Sequence, residues 1–195
     1  MTASSWSDTE AQAVGSLAAD SAMLTGCLAA AISPALRRVR VGRISHSGVA
    51  MSPEEHYQRL QNMYGAAPVN AFYQPVMRVS DGEAEIEIQV EEKFFHAAGA
   101  VHGSVYFKLL DDAAFFAANS LEPEVFVLTT AFTTYLTRPV SAGKLKAVGK
   151  VVNRNKSQFI AEAVLYGEDG KEVGRGNGVF VRSKIRLGDA LGYPD

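Results

Sequence analysis

The sequence predicts an α+β domain in which one antiparallel β-sheet is wrapped around a central α-helix. Three observations carry that expectation. Two short alternating runs precede a long apolar helix, four strand-like runs follow it, and turns of only a few residues separate those four. Such short connections favour antiparallel neighbours.

The elements follow in order. Ser52, Pro53 and Glu55 supply an N-cap, a proline at the first helical position and a glutamate three after the cap, which opens a helix ending near Tyr64 and Gly65. After Pro68 the period becomes two: residues 75–79 and 84–90 flank an Asp81-Gly82 turn and read as a hairpin. Ile86, Ile88 and Val90 share one face of it, and Glu85, Glu87 and Gln89 the other. Gly103 to Asn119 is rich in Leu, Ala and Phe and reads as a helix, nearly engulfed, whose strongly polar residues Ser104, Lys108, Asp111 and Asp112 form one narrow stripe. Strands are expected over 125–137, 144–153, 158–166 and 173–183.

Composition bounds the function. The chain of 195 residues is 47 % hydrophobic and 21 % charged, with a net charge of -2. That is a soluble globule with one main core and no field to hold nucleic acid or an anionic membrane surface. No apolar run approaches the roughly eighteen residues of a membrane span. The single Cys27 and the dispersed His46, His56, His96 and His102 match no zinc spacing, so a reducing, cytoplasmic setting without metal or other cofactor is expected. Residues 1–50 hold four arginines against three acids, and their most apolar part, 22–35, is interrupted by Gly26, Ser33 and Pro34. Its first basic residue, Arg37, comes after the apolar run, the reverse of a secretory signal. The expected organisation is a poorly structured or leader-like extension over 1–50, the domain over 51–185, and a loose polar tail over 186–195.

The segment from Ala97 through Gly99, His102-Gly103 and Asp111 to Ala113, with Phe132 to Pro139 and then Gly143, resembles the hotdog-fold acyl-CoA thioesterases of the phenylacetate-degradation type. The likeness extends over about Phe72 to Ser183, and its most specific part is His-Gly at the helix start with Asp nine residues after the His. The family pattern runs Asn, two residues, Gly, two residues, His-Gly-Gly. Here Gly99, His102, Gly103 and Asp111 match, His96 stands in the Asn place and Ser104 in the last Gly place. The resemblance implies a hotdog fold, hydrolysis of acyl-CoA to free acid and CoA, and self-association as a dimer or a dimer of dimers.

The residues supply a rationale for that chemistry. Thioester hydrolysis develops negative charge on the carbonyl oxygen, and an unpaired N–H at a helix N-terminus, here that of Gly103, stabilises it. Asp111 is the candidate carboxylate, as nucleophile or as general base. Eight residues of helix separate the two by ~12 Å, so one site using both draws Asp111 from a second, antiparallel subunit, as in the family's two-fold dimer. The plainer account makes Asp111 and Asp112 a solvated stripe paired with Lys108. His102 is expected to position the helix start. His96 is expected to donate to the thioester carbonyl or, as the alternative, to cap a backbone carbonyl of the loop. Thr129 stands where family members place a hydroxyl near the attacking water. Gly99 belongs to the substrate loop, and Arg138 and Lys156, near strand ends, are candidates for the CoA phosphates. Phe94, Phe95, Phe115 and Phe116 suit either an acyl pocket or core. Two other functions fit the same fold: a hydratase or dehydratase acting on acyl thioesters, and a non-catalytic acyl-CoA sensor. A Pro-Gly pair at the helix start, usual in the former, is absent.

Overall fold

The computed structural model describes residues 51–193. The expectation for residues 1–50 lies outside them. The first helix, α1 (Pro53–Ala66), begins as its sequence requires: Ser52 is the N-cap, and its Oγ accepts a hydrogen bond from the Glu55 N–H at 3.2 Å. Its buried face, His56, Leu60, Met63 and Tyr64, has helical spacing and turns toward β1 (Val76–Ser80). A short helix that the sequence reading missed, α2 (Asn70–Tyr73), fills the link between them.

Strand β1 pairs with β2 (Glu83–Gln89) as the anticipated hairpin, with Gly82 at φ 68° in its turn. The central helix α3 (Gly103–Asn119) follows, and β3 (Val125–Leu136), β4 (Lys144–Arg154), β5 (Gln158–Tyr166) and β6 (Glu172–Arg186) complete the sheet. The strand order is β1-β2-β4-β5-β6-β3 and every pairing is antiparallel. This is the α+β architecture the sequence predicts. Alternate residues such as Ile86, Ile88, Leu145, Ala147, Phe159, Ala161 and Leu165 are buried, as one covered face demands.

Helix α3 lies against that face through small side chains. Ala113, Ala114, Ala117 and Ala118 are fully buried. Opposite them, β4 carries Gly149, where an added Cβ would overlap the backbone of Ala113 and Ala114. The absent side chain therefore lets helix and strand touch backbone to backbone. At its C-terminal end α3 is tied to β3 by Asn119, whose Nδ2 donates to the carbonyls of Glu122 and Val125 while its Oδ1 accepts from the Val127 N–H.

The C-terminal segment corrects the sequence reading. Instead of a loose tail from 186, β6 runs to Arg186, a 3-10 turn follows over Leu187–Asp189, and Leu187 and Tyr193 are buried. The reason is a polar anchor that periodicity cannot reveal. The Nε2–H of buried His56 donates to the Asn119 carbonyl at 2.9 Å, so its Nδ1, 2.7 Å from the Tyr193 hydroxyl, accepts from it. Burial lowers the His56 pKa and keeps that neutral arrangement in place. The folded unit thus extends from 51 to at least 193.

Gly149→Ala should destabilise the domain by about 1–3 kcal/mol, the usual penalty for overpacking a tight core contact. Urea denaturation followed by circular dichroism reads this directly, and a variant with wild-type midpoint would contradict the backbone contact.

Candidate active site

The two ends of the α3 stripe hold two different sets of groups. At the N-terminal end the loop before the helix is folded tightly on itself: the His96 N–H donates to the Ala100 carbonyl, the Gly99 N–H to the His96 carbonyl, and the His102 N–H to the Phe94 carbonyl. Gly99 sits at φ 78°, a left-handed conformation that explains its glycine. His102 is the N-cap of α3, its Nδ1 accepting from the Ser104 N–H at 3.1 Å. Gly103 is then the first helical residue, where an N–H has no carbonyl one turn back. A Cβ there would come within 3.1 Å of the Leu136 side chain.

His96 Nδ1 accepts from the Ala98 N–H at 3.1 Å. The ring thus binds a backbone N–H and not the carbonyl the alternative called for, and in the neutral ring this makes Nε2 the protonated nitrogen, a donor. His96 and Gly103 line one cavity of about 280 Å³, together with Tyr106, Leu136 and Arg138. The Arg138 side chain is 47 % exposed and its nearest anion, Asp169, stands at 3.8 Å, leaving its guanidinium available at the rim.

Asp111 and Asp112 occupy a second cavity of about 330 Å³. Consecutive helical residues point about 100° apart, and this separates the two carboxylates. Asp111 faces β3, where the Thr129 hydroxyl donates to its Oδ1 at 3.1 Å. The register of β3 against β6 shifts between Thr129 and Ala131, a local irregularity in the strand that carries this hydroxyl. Asp112 faces α1: it pairs with Lys108 and accepts from the Tyr64 hydroxyl at 2.8 Å. Lys108 Nζ lies 5.3 Å from the centre of the Tyr64 ring and 5.2 Å from that of Tyr73. The plainer account, a solvated pairing of both acids with Lys108, does not hold. Only Asp112 pairs with Lys108, and that pair is mostly buried, with side chains 15 % and 21 % exposed.

Electrostatics follow from this division. Burial pushes the Asp111 pKa up to about 6; the Thr129 hydroxyl lowers it, the Asp112 charge raises it and Lys108 lowers it, in that order of size. Tyr64 is raised as well, by burial first and then by the charge of Asp112.

One protomer does not bring all the candidates together. Gly103, His96 and Arg138 line the first cavity, Asp111 and Thr129 the second. Lys156 lies in the β4–β5 turn, where its carbonyl accepts from Arg182, and it lines neither. Phe115 and Phe116 line the Asp111 cavity, whereas Phe94 is core, stacked on Tyr73. Sequence reasoning missed Tyr64 and Asn70, which also line the second cavity. Tyr64 carried a signal as a polar-tipped residue on the buried face of α1; Asn70, on a four-residue helix, carried none. Among the described residues no cluster of His, Cys, Asp and Glu has the makings of a metal site, and no helix is long and apolar enough to cross a membrane.

Because the Asp111 pKa is raised above its unfolded value near 3.9, the protonated form favours the folded state. Its stabilising contribution is full below about pH 4 and is lost as the pH rises through about 6. Asp111→Asn should therefore be more stable relative to wild type at pH 7.5 than at pH 4. Urea midpoints at the two pH values give the comparison, and a difference independent of pH would refute it.

Comparison with known proteins agrees with this architecture. Residues 98–174 match the family described as the thioesterase superfamily. A Saccharolobus solfataricus protein described as an esterase is 23 % identical over 113 residues, covering 57 % of this chain and 81 % of its own length. The structure of the Escherichia coli PaaI protein from the phenylacetic acid degradation operon superposes with a TM-score of 0.64 at 20 % identity, covering 69 % of this chain and 97 % of that one. A thioesterase family protein from Silicibacter pomeroyi gives a TM-score of 0.60 at 23 % identity, with 65 % and 96 % covered. The segment that holds the α3 site is thus similar to the thioesterase superfamily, and the domain has the hotdog fold of the structures it superposes on.

Proposed function

We propose that this protein is an acyl-CoA thioesterase that releases free acid and CoA, with each active site shared between two protomers. The observation that carries the reading is the division of the machinery. Donor groups and carboxylate line separate cavities, reached from α3 and from β3, an edge strand of the sheet. Phe107 on α3 and Leu128, Tyr135 and Leu136 on β3 are exposed in the single chain. A two-fold partner laid along this side would cover those residues and bring its Asp111 to the Gly103 of the first protomer. A dimer, or a dimer of dimers, is the assembly that this requires.

In such a site the Gly103 N–H and the His96 Nε2–H point at the thioester oxygen, where charge develops as the carbonyl carbon becomes tetrahedral. Asp111 from the other protomer, oriented by Thr129, completes the attack in one of two ways. As a general base it takes a proton from water while the water oxygen bonds to carbon. As a nucleophile its own oxygen bonds to carbon, and water later cleaves the resulting anhydride. In both routes the C–S bond breaks, sulfur leaves as thiolate and is protonated to the CoA thiol. His102 acts by holding the helix start. Arg138 and Lys156 are the proposed cations for the CoA phosphates, the rim position supporting Arg138. The Pro-Gly pair usual at the helix start of the hydratases is absent, and a non-catalytic sensor has no need of a carboxylate poised near neutrality, which favours hydrolysis.

Thiol release from a panel of acyl-CoA thioesters tests the reading, and absence of release from all of them overturns it. Since Asp111 acts ionised, kcat/KM should rise with pH through about 6 and then level off. Asp111→Asn should lower kcat by about 10² or more. Mixing Asp111→Asn subunits with inactive Gly103→Val subunits should restore part of the activity, because one site of the mixed dimer keeps both native groups. No recovery in a verified heterodimer would refute the shared site.

A further inference from the structure

Four titratable side chains line the Asp111 cavity, and the proposed reaction uses only one of them. The other three, Lys108, Asp112 and Tyr64, form a cluster on the wall made by α1 and α3. Lys108 pairs with Asp112, and the Tyr64 hydroxyl donates to the same carboxylate oxygen. Lys108 stands three residues before Asp111 and four before Asp112, so on a helix either acid is within its reach. Contacts of its ammonium with the ring faces of Tyr64 and Tyr73 accompany the pairing with Asp112. Asp111 keeps the Thr129 hydroxyl as its donor. The β3 and α2 parts of the wall bring no charge, offering Thr129, Phe126, Leu128 and the Asn70 amide. A mostly buried ion pair adds little net stability, because desolvation offsets the attraction, so stability alone is a weak reason for its presence.

We propose that Lys108 and Asp112 are positioning residues for Asp111: a buried pair of opposite charges whose effects on its carboxyl oppose each other, so that Asp111 stays a base instead of being fixed in its ionised or its protonated form. This rests on the reading of Asp111 as the reacting carboxylate and adds to it the groups that set its protonation. A lone ammonium one turn away would favour the carboxylate and reduce its affinity for a proton. A lone carboxylate beside it would favour the acid, which can neither attack the carbonyl nor take a proton from water. Held together, the two charges present Asp111 with a dipole in place of a net charge, and burial is left as the dominant influence on it. Neither side chain takes part in bond making or breaking; both act through Asp111.

The test reads the titration of Asp111 directly, by carbon-13 NMR of the full chain labelled at the aspartate carboxyls, the Asp111 signal being the one that Asp111→Asn removes. Asp112→Asn leaves the ammonium uncompensated and should lower the Asp111 midpoint by roughly one pH unit. Lys108→Met leaves the second carboxylate uncompensated and should raise it by a similar amount. The double variant carries neither charge and should return to within roughly 0.3 pH units of wild type. In the proposed dimer a second protomer would add its His96 ring and Gly103 N–H to the surroundings of Asp111; these are the same in every variant and drop out of the differences. The acid limb of kcat/KM should move with each midpoint and in the same direction. A merely structural pair would lower the folded fraction without moving the two midpoints apart, so shifts of one sign in both single variants, or none, overturn the proposal. Should Asp112→Asn fail to fold, the double variant compared with Lys108→Met still isolates the Asp112 charge: its midpoint must be the lower, and equal midpoints overturn the proposal. The NMR midpoints do not depend on turnover. Unmoved midpoints in a protein that cleaves thioesters refute the charge pair alone, whereas opposite shifts in one that cleaves none support the pair and refute only the thioesterase reading.

Discussion

The contact on which the molecule depends is the backbone-to-backbone approach of α3 to β4, made possible by Gly149 and by the alanine face of the helix. Packing at native density leaves no slack at such a contact. The helix is therefore held at a fixed height and rotation over the sheet, and everything functional on it inherits that placement. Four buried alanines define the inner side; Ser104, Phe107, Asp111 and Phe115 are left toward the outer one. Asn119 fixes the far end by binding the chain as it turns into β3, which sets Thr129 opposite Asp111. One tight contact and one buried amide thus determine the geometry of the carboxylate.

Two neighbouring aspartates end in opposite electrostatic situations for the same reason. Asp112, turned toward α1, meets a cation and a phenol hydroxyl, and its charge is compensated. Asp111, turned toward β3, is half-buried with one neutral donor, so desolvation outweighs the hydrogen bond and its charged form is disfavoured. The Lys108–Asp112–Tyr64 group keeps Lys108 engaged beside Asp112.

The two cavities are also a consequence of length. A helix that rises 1.5 Å per residue cannot bring its first turn and its third to one small molecule. The edge position of β3 and the uncovered apolar residues beside it offer the other way to unite them, through a second copy. The proposed thioesterase and the proposed dimer are therefore coupled: the Gly103 N–H and the Asp111 carboxylate can serve one reaction only across an interface.

What the sequence by itself determined was local and periodic. The N-cap at Ser52, the six strands, the hairpin at Gly82 and the bounds of α3 follow from patterns within a few residues of one another, and so were legible. His96, Gly99, His102, Gly103 and Asp111 were legible because they lie in one short motif with fixed spacing, and Thr129 through its place in the resemblance. What only the tertiary structure decided depends on partners far apart in the chain. The different surroundings of Asp111 and Asp112 turn on Thr129 and Tyr64, and the packing of the C-terminal segment on His56, 137 residues before Tyr193. Periodicity reports which face of an element is buried; it carries no record of which polar group across the core will meet that face, because that is set by the packing of elements and not by the order of residues within one.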